Sequence, residues 1–362
     1  MSLKSAFLEL TKHCNLNCVH CYVVDNTHRN ELTTEEVKRF LDELAAEGFL
    51  LLQLTGGEVL LRKDFFELAQ YAKQRRFNLT IFTNGTLITE AVADRFASLR
   101  PYRVEISLHG VTPETCDAVT AVAGSYEQIL QGVRRLKARA VPVMLKANVL
   151  DLNVQEVTHV RRIARELGVG FRTFDPAIFP RFSGDRSSVD HAASVEGLQG
   201  AMVESFRVLS EQELQVALSH PCPAADNRPC DIGSDSQVTI GADGYLYPCP
   251  LYRFHGFNLR KMSFHDAYHR KHELIPEVIH ARWDDLEKCP DCDAAGHYHH
   301  CFANAMRLTG NPLAHIPVNH RMAQATAQAY AQVLQERQAG TSASDGAPPS
   351  GIETSIPAVA AT

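Results

Sequence analysis

The sequence predicts an α/β protein in which a partial (β/α)6 TIM-like barrel is followed by a small cysteine-rich domain. Two observations carry this prediction. Short apolar runs alternate with helix-length amphipathic segments over about the first 175 residues, and six of the ten cysteines lie between residues 222 and 301. Strands that alternate with helices form a parallel sheet, and six such units suit an incomplete version of the eightfold barrel.

The predicted strands are short runs of apolar or β-branched residues. They cover residues 5–10, 50–54, 78–82, 103–108, 142–149 and 170–174. The first helix opens with a capping box, in which Thr33 and Glu36 satisfy each other's backbone N–H groups. Its apolar residues then recur at helical spacing, at Val37, Phe40, Leu41 and Leu44.

Changes in pattern along the chain predict its domains. We place the barrel at residues 1–180, a linker or helical connection at 181–220 and the cysteine-rich domain at 221–325. Residues 339–362 are small and polar with almost no large apolar side chains, so they cannot offset their ordering entropy. We expect them to form a disordered tail.

Composition excludes several classes of function. The net charge is −6. The sequence has no run of basic residues interleaved with aromatic residues, so we do not expect a nucleic-acid partner. No segment approaches the roughly 18 apolar residues that a membrane span needs. The apolar stretch at the N-terminus is too short for a secretory signal. We therefore expect a cytoplasmic protein, in which reduced cysteines favour metal or cluster ligation over disulfides.

Polar motifs follow four of the predicted strands, at residues 14–21, 55–58, 83–85 and 107–110. Because the carboxyl ends of parallel strands meet at one edge of a sheet, these motifs predict a single site. Its most informative element is Cys14-x3-Cys18-x2-Cys21.

Thiolates ligate iron-sulfur clusters and zinc, which both normally take four protein ligands. A cluster held by Cys14, Cys18 and Cys21 would keep one iron open for a substrate. A zinc site that borrows His13 or His20, or buried cysteines without metal, are the alternatives. The strand context favours the open cluster.

At these residues the chain resembles the radical S-adenosylmethionine (SAM) superfamily, over roughly residues 5–175. The resemblance implies that Cys14, Cys18 and Cys21 hold a catalytic 4Fe-4S cluster whose open iron chelates SAM. It also implies reductive cleavage to a 5'-deoxyadenosyl radical, which abstracts hydrogen from a substrate, and a reductant such as ferredoxin or flavodoxin.

The resemblance also implies the SAM-binding residues. Gly56, Gly57 and Glu58 match the family's GGE motif, in which the glycines admit close backbone approach and Glu58 accepts hydrogen bonds from the SAM ammonium. Alone, this motif is also compatible with an ordinary strand-to-helix turn. Val59 stands where the family often has proline.

Three further polar residues are candidates for SAM binding, each with a structural role as the alternative. Ser107 matches a family position that contacts the SAM carboxylate or ribose. Asn148, which ends the fifth strand, is a candidate for the ribose. Arg172, on the sixth strand, is a candidate for the SAM carboxylate.

The second cysteine region, Cys230-x13-Gly244-x4-Cys249 with Cys289-x2-Cys292 and Cys301, resembles the SPASM/twitch-like extension of many peptide-modifying radical SAM enzymes. Residues 237–247 read as a hairpin around an Asp243-Gly244 turn. By position, one auxiliary 4Fe-4S cluster would be held by Cys222, Cys230, Cys249 and Cys301. Zinc in the same cysteine fold is the alternative.

The pattern departs from the family at the last two expected cysteines, where this chain has His297 or a neighbour and His320. Together with Cys289 and Cys292 these histidines fit zinc or a second auxiliary cluster with histidine ligands. An empty remnant is the third outcome. Cys116 lies in a helical segment, and we expect it to be a small buried hydrophobe.

These features predict a radical SAM enzyme, an oxidoreductase-like maturase. Its predicted substrate is a ribosomally synthesised peptide, which would receive a crosslink, a thioether or an epimerised residue. One alternative is an enzyme of tetrapyrrole or small-molecule cofactor biosynthesis, and another is a non-catalytic iron-sulfur or zinc binding module. Because the chain begins at the first strand, we expect peptide recognition by a separate protein or by the barrel itself.

Overall fold

The computed structural model describes residues 3–23, 30–175, 177–212, 214, 228–287 and 299–338, with the backbone alone at 173–175. The chain divides into two compact units. The first comprises Met1–Ala193 and Ile232–Ile279, and the second comprises Ser194–Asp231 and His280–Thr362.

One mixed sheet organises the first unit. Its strands are β1 (Ser5–Glu9), β2 (Leu51–Thr55), β3 (Asn78–Thr83), β4 (Arg103–Ser107), β5 (Val143–Asn148), β6 (Gly170–Asp175), β7 (Gln237–Ile240), β8 (Tyr245–Tyr247) and β9 (Phe257–Asn258). Their order is β6-β5-β4-β3-β2-β1-β7-β8-β9. The pairs from β1 to β6 are parallel, which confirms the predicted fold class.

Helices alternate with the strands as the sequence pattern predicts. They are α1 (Thr34–Ala46), α2 (Phe65–Gln74), α3 (Glu90–Leu99), α4 (Pro113–Thr120), α5 (Ser125–Ala138), α6 (Val160–Leu167), α7 (Val195–Arg207), α8 (Phe264–His269), α9 (Phe302–Thr309) and α10 (Pro317–Gln338). Helices α1–α6 and α8 belong to the first unit, and α7, α9 and α10 belong to the second. None of the described helices is long and apolar enough to cross a membrane.

The capping box of α1 is confirmed. The Thr33 hydroxyl accepts a hydrogen bond from the Glu36 N–H at 3.2 Å, and the Glu36 carboxylate accepts one from the Thr33 N–H at 2.9 Å. The helix buries the apolar face that its spacing predicts, which consists of Val37, Phe40, Leu41 and Leu44. Burial of this face against the sheet is the main source of its stability.

Alternate residues of the parallel strands face opposite sides of the sheet. One side contributes fully buried apolar residues to the core, among them Leu52, Leu54, Leu79, Ile81, Val104 and Ile106. The other side carries a mixed set of aromatic, polar and charged side chains, described below with the site. The two sides therefore separate the packed core from the face that is available for binding.

The predicted hairpin forms, but it belongs to the barrel sheet. Strand β7 pairs antiparallel with β8 around Gly244, whose φ is +82°, and pairs parallel with β1 from Ser5↔Gln237 to Leu8↔Ile240. We assigned residues 221–325 to a separate domain, whereas residues 232–279 lie in the first unit. Periodicity could not show this, because the β1 partner is more than 200 residues away.

The second unit is centred on a helix pair. Helices α7 and α10 share an apolar cluster that includes Val203, Leu214, Ala329 and Val333. Arg207 of α7 forms an ion pair with Glu336 of α10 at 2.6 Å. Part of the predicted connection at 181–220 is thus helical, and the predicted tail at 339–362 lies outside the described residues.

Candidate active site

The three predicted cluster cysteines lie on a loop that follows β1, and all three are half-buried. The loop is held from one side by the end of α4. The Asn17 N–H donates to the Thr120 carbonyl at 3.1 Å, and the Val19 N–H donates to the Val119 carbonyl at 3.0 Å. Backbone bonds of this kind position the loop independently of any ligand.

The GGE turn after β2 holds the loop from the other side. The Gly57 N–H donates to the Thr11 carbonyl at 2.8 Å, and the Glu58 N–H donates to the His13 carbonyl at 2.7 Å. A Cβ atom on Gly56 would lie 2.3 Å from the Thr11 carbonyl oxygen, and one on Gly57 would lie 2.1 Å from the His13 carbonyl oxygen. The two glycines therefore admit the backbone of the cysteine loop, and their predicted approach to a ligand stays a prediction.

Glu58 is fully buried at the centre of the site. Its carboxylate accepts hydrogen bonds from the Thr83 hydroxyl at 2.7 Å, the Asn84 N–H at 2.7 Å and the Leu60 N–H at 3.0 Å. Burial raises the pKa of Glu58, and these three donors oppose that effect. The side chain therefore joins the end of β2 to the end of β3.

Asn84 connects Glu58 to the cysteine loop. Its side-chain amide donates to Cys14 Sγ at 3.8 Å and to Asn15 Oδ1 at 2.9 Å. Asn84 was predicted only as part of the polar strand end at residues 83–85. Its position directly after β3 was the available signal, but its sulfur contact needs the folded loop.

The donor set tests whether the loop fits a single metal ion or a cluster. Zinc–thiolate bonds of about 2.3 Å hold two sulfurs roughly 3.8 Å apart. The cysteine triplet is not among the described side-chain groups whose ligand atoms all lie within 4.8 Å of one another. At least one pair of the three sulfurs is thus farther apart than in a three-thiolate zinc site.

Burial governs the charge of the three thiols. Burial raises the pKa of Cys14 and Cys21, and burial together with the neighbouring thiols raises that of Cys18. Without a positive centre these thiols would keep their protons. Iron would stabilise the thiolates, since metal binding is coupled to thiol deprotonation.

The other predicted SAM-binding residues end neighbouring strands. Ser107 ends β4 and Asn148 ends β5, and both are half-buried. Arg172 lies on β6, where its guanidinium pairs with Glu105 at 3.2 Å and its side chain is 49% exposed. Its assignment to the SAM carboxylate stays a prediction, and this ion pair is a structural role that the sequence did not indicate.

The face of the sheet opposite the apolar core carries a set of side chains in mutual contact. Phe7 and Phe82 meet edge to face at 6.2 Å, and the Lys146 ammonium lies 3.6 Å from the centroid of the Phe82 ring. The Glu105 and Arg172 pair lies on the same face, by register with Phe82 and Lys146. Aromatic and charged side chains thus line the face of the sheet opposite the apolar core.

Cys116 and the ring pair of His20 and His109 lie at the cysteine loop. Cys116 is fully buried in α4, which agrees with the expected packing role. The rings of His20 and His109 meet at 4.6 Å. Burial lowers the pKa of His20 to about 4, so its ring is neutral at physiological pH.

The predicted auxiliary ligands are distributed over both units. Cys249 follows β8 in the first unit, while Cys230 and Cys301 belong to the second, and each is half-buried. His320 lies in α10, and its Nδ1 is buried with no hydrogen-bond partner among the described residues. The remaining candidates, Cys222, Cys289, Cys292 and His297, lie outside the described residues.

Loss of the Glu58 charge tests its place in the site. In Glu58→Gln one carboxylate oxygen is replaced by an NH2 group, which cannot accept the hydrogen bond that the Asn84 N–H donates. We therefore expect a loss of about 1–3 kcal/mol of stability. We also expect weaker SAM binding with iron content retained. Thermal unfolding, iron analysis and SAM titration measure these effects. The exposed Glu127→Gln is the matched control, and SAM affinity unchanged from wild type would limit Glu58 to a structural role.

A partial barrel with three thiolates and a buried carboxylate at its carboxyl edge defines a class of enzyme that works with an open iron-sulfur cluster. Residues 8–167 match the Radical SAM superfamily. An AdoMet-dependent heme synthase of Methanosarcina barkeri is 28% identical over 85% of this chain and 94% of that protein. A PqqA peptide cyclase of Ruegeria pomeroyi is 27% identical over 86% of each chain.

Comparison of folds gives the same architecture. A solved structure of anSMEcpe with bound AdoMet and Cp18Cys peptide has a TM-score of 0.68 and 17% identity, and covers 93% of this chain and 99% of that one. The match over residues 8–167 and the similar relatives support a radical SAM enzyme with a C-terminal extension. The family works with SAM and a 4Fe-4S cluster.

Proposed function

We propose that the enzyme binds SAM beside Cys14, Cys18 and Cys21 and modifies a ribosomally synthesised peptide. The observation that carries the proposal is the docking of the cysteine loop on the GGE turn, which brings the triplet next to the buried Glu58. Cys14, Cys18 and Cys21 would hold the cluster, which would supply the electron for SAM cleavage.

The chain's own residues prepare this site. Asn84 restrains Cys14 through its 3.8 Å contact with the sulfur. Glu58 keeps the ends of β2 and β3 together through its bonds with Thr83 and Asn84, and its further role is to accept hydrogen bonds from the SAM ammonium. Ser107 and Asn148 supply polar groups on the next strands, and Arg172 is the candidate for the SAM carboxylate.

Two relatives support different substrates. Similarity to a PqqA peptide cyclase over 86% of each chain supports a peptide. Similarity to an AdoMet-dependent heme synthase over 94% of that protein supports a tetrapyrrole as the second candidate. For a peptide we propose recognition by the barrel or by a separate protein, with a ferredoxin or flavodoxin as reductant.

An anaerobic assay separates these possibilities. The reconstituted protein is incubated with SAM and dithionite, and 5'-deoxyadenosine is measured by chromatography. Formation of 5'-deoxyadenosine is expected, and its absence from fully loaded protein would contradict SAM cleavage. Co-expression with short peptides encoded beside the gene, followed by mass measurement, tests the peptide. Incubation with an iron-porphyrin precursor tests the second candidate.

We propose that Cys222, Cys230, Cys249 and Cys301 hold an auxiliary cluster and that Cys289, Cys292, His297 and His320 form a further site. Two buried polar groups in the second unit support this: neither amide atom of Asn304 nor Nδ1 of His320 has a hydrogen-bond partner among the described residues. Such groups normally have partners, so both are suited to face a bound group.

Metal analysis distinguishes the forms of the second auxiliary site. About eight irons with one zinc per chain would indicate zinc there, and about twelve irons without zinc would indicate a third cluster. About eight irons without zinc would leave the site empty. If His320→Ala changes neither metal content nor spectrum, its assignment as a ligand is wrong.

A further inference from the structure

A second group of metal-ligating side chains lies in the first unit, built from residues that the SAM site does not use. It consists of Glu47, His265 and His269, whose ligand atoms all lie within 4.8 Å of one another. Within the part of the chain that the structure describes, it is the one group of three or more His, Cys, Asp or Glu side chains whose ligand atoms are this close. We propose that these three side chains bind a divalent transition-metal ion, Zn²⁺ in the first instance.

The local sequence places both histidines on one side of α8. They are four residues apart, so they project from the same helix face, and their ring centroids are 4.4 Å apart. Glu47, at the C-cap of α1, completes the group from the opposite side. His265 Nδ1 lies 2.5 Å from one Glu47 oxygen, and His269 Nε2 lies 3.4 Å from the other.

These distances are close to those of a metal site. Zinc bonds to nitrogen and oxygen of about 2.0–2.2 Å place two ligands of a tetrahedral ion roughly 3.3 Å apart. The contact of His269 with Glu47 already has this spacing. The contact of His265 with Glu47 would have to open by less than about 1 Å, which exposed side chains can do by rotation.

The chemistry of the three ligands selects the kind of ion. Two imidazoles and one carboxylate suit zinc and neighbouring transition metals, whereas calcium and magnesium prefer all-oxygen sites. Three protein ligands leave a fourth position for water.

The surroundings hold the group in place while leaving it open to solvent. The two histidines are 67% and 55% exposed, so an ion can reach them. The buried rings of Phe264 and Tyr268 pack on Phe49, just after α1, at 5.9 and 5.4 Å. Lys4 donates to the Glu47 backbone carbonyl rather than taking the carboxylate.

A metal ion here would tie α8, which follows the β7–β9 strands, to the barrel helix α1. The group lies at the end of α1 that leads into the start of β2, whereas the cysteine loop lies at the carboxyl ends of the strands. Because the two sites are at opposite ends of the strands, the role of the metal ion would be structural. This inference is independent of the proposed substrate and of SAM cleavage.

Zinc binding by the full-length protein tests the inference. The protein is first reconstituted anaerobically with iron and sulfide so that its cysteine sites are filled, then dialysed against buffered free Zn²⁺. We expect wild type to bind one zinc more per chain than His265→Ala/His269→Ala. Zinc at any cysteine site is common to both proteins and cancels in the difference.

Two single variants and one control sharpen the test. Glu47→Gln and His269→Ala should each weaken the zinc site at least about tenfold, because each removes one of three ligands. His272→Ala removes an exposed histidine nearby and should bind zinc like wild type. Zinc should also raise the unfolding temperature of wild type but not of the double variant.

Equal zinc content in wild type and the double variant, with all variants folded by circular dichroism, would overturn the inference. In that case the three side chains form only an ion-pair cluster. Because iron content and 5'-deoxyadenosine formation are measured separately, failure of the zinc site leaves the proposed SAM chemistry unaffected.

Discussion

In the triple variant Cys14→Ala/Cys18→Ala/Cys21→Ala, we expect 5'-deoxyadenosine formation to fall to background. Cys14, Cys18 and Cys21 are the only cysteines between β1 and α1 in the sequence, and alanine offers no donor atom to replace them. Iron held by the C-terminal cysteines should remain, at about four or more atoms per chain. Chromatography of the SAM products and iron analysis of the same sample measure both quantities.

Cys116→Ala provides the matched control, because Cys116 is a buried thiol beside the loop with no predicted ligand role. It should retain most of its SAM cleavage and all of its iron. Continued SAM cleavage by the triple variant would contradict the assignment. Loss of all iron from the triple variant would instead mean that the C-terminal sites cannot fill independently.

Local patterns predicted the barrel elements closely. The predicted strand at residues 78–82 is observed at Asn78–Thr83, and the predicted capping box at Thr33 and Glu36 is present in hydrogen-bond detail. These features depend on neighbours along the chain, on alternation and on the chemistry of a helix start. Local sequence therefore carries most of the information about them.

Features that depend on distant partners were not predicted. The parallel pairing of β7 with β1 joins residues more than 200 positions apart, and the contact of Glu47 with His265 spans 218 positions. Neither has a periodic signal. The role of Gly56 and Gly57 at the SAM site stays a prediction, and their close contacts with Thr11 and His13 were not predicted, because only the folded turn brings these residues together.

Ion pairs between charged residues on the sheet were not predicted either. Arg172 was proposed for the SAM carboxylate from its type and strand alone, and its ion pair with the fully buried Glu105 was not foreseen. A buried carboxylate needs a partner, and Glu105 has two, Arg103 on the same strand at 2.8 Å and Arg172 on β6 at 3.2 Å. Partner choice is decided by register across β4, β5 and β6.

Gly57→Ala should disrupt the site without removing any polar atom. Its new Cβ would lie 2.1 Å from the His13 carbonyl oxygen and 2.5 Å from the His13 carbonyl carbon. Because both atoms belong to backbone, the cysteine loop itself must shift and the bonds from Gly57 and Glu58 to Thr11 and His13 must lengthen. Overpacking of this kind costs about 1–3 kcal/mol.

We therefore expect Gly57→Ala to incorporate less iron at the SAM-cleaving cluster and to lose most 5'-deoxyadenosine formation, with a lower unfolding temperature. Gly200→Ala in α7 is the matched control, since its added Cβ meets no atom within 4 Å and alanine favours a helix. It should keep wild-type iron and activity. If Gly57→Ala matched this control in both, contact between the GGE turn and the loop would not be what positions the three cysteines.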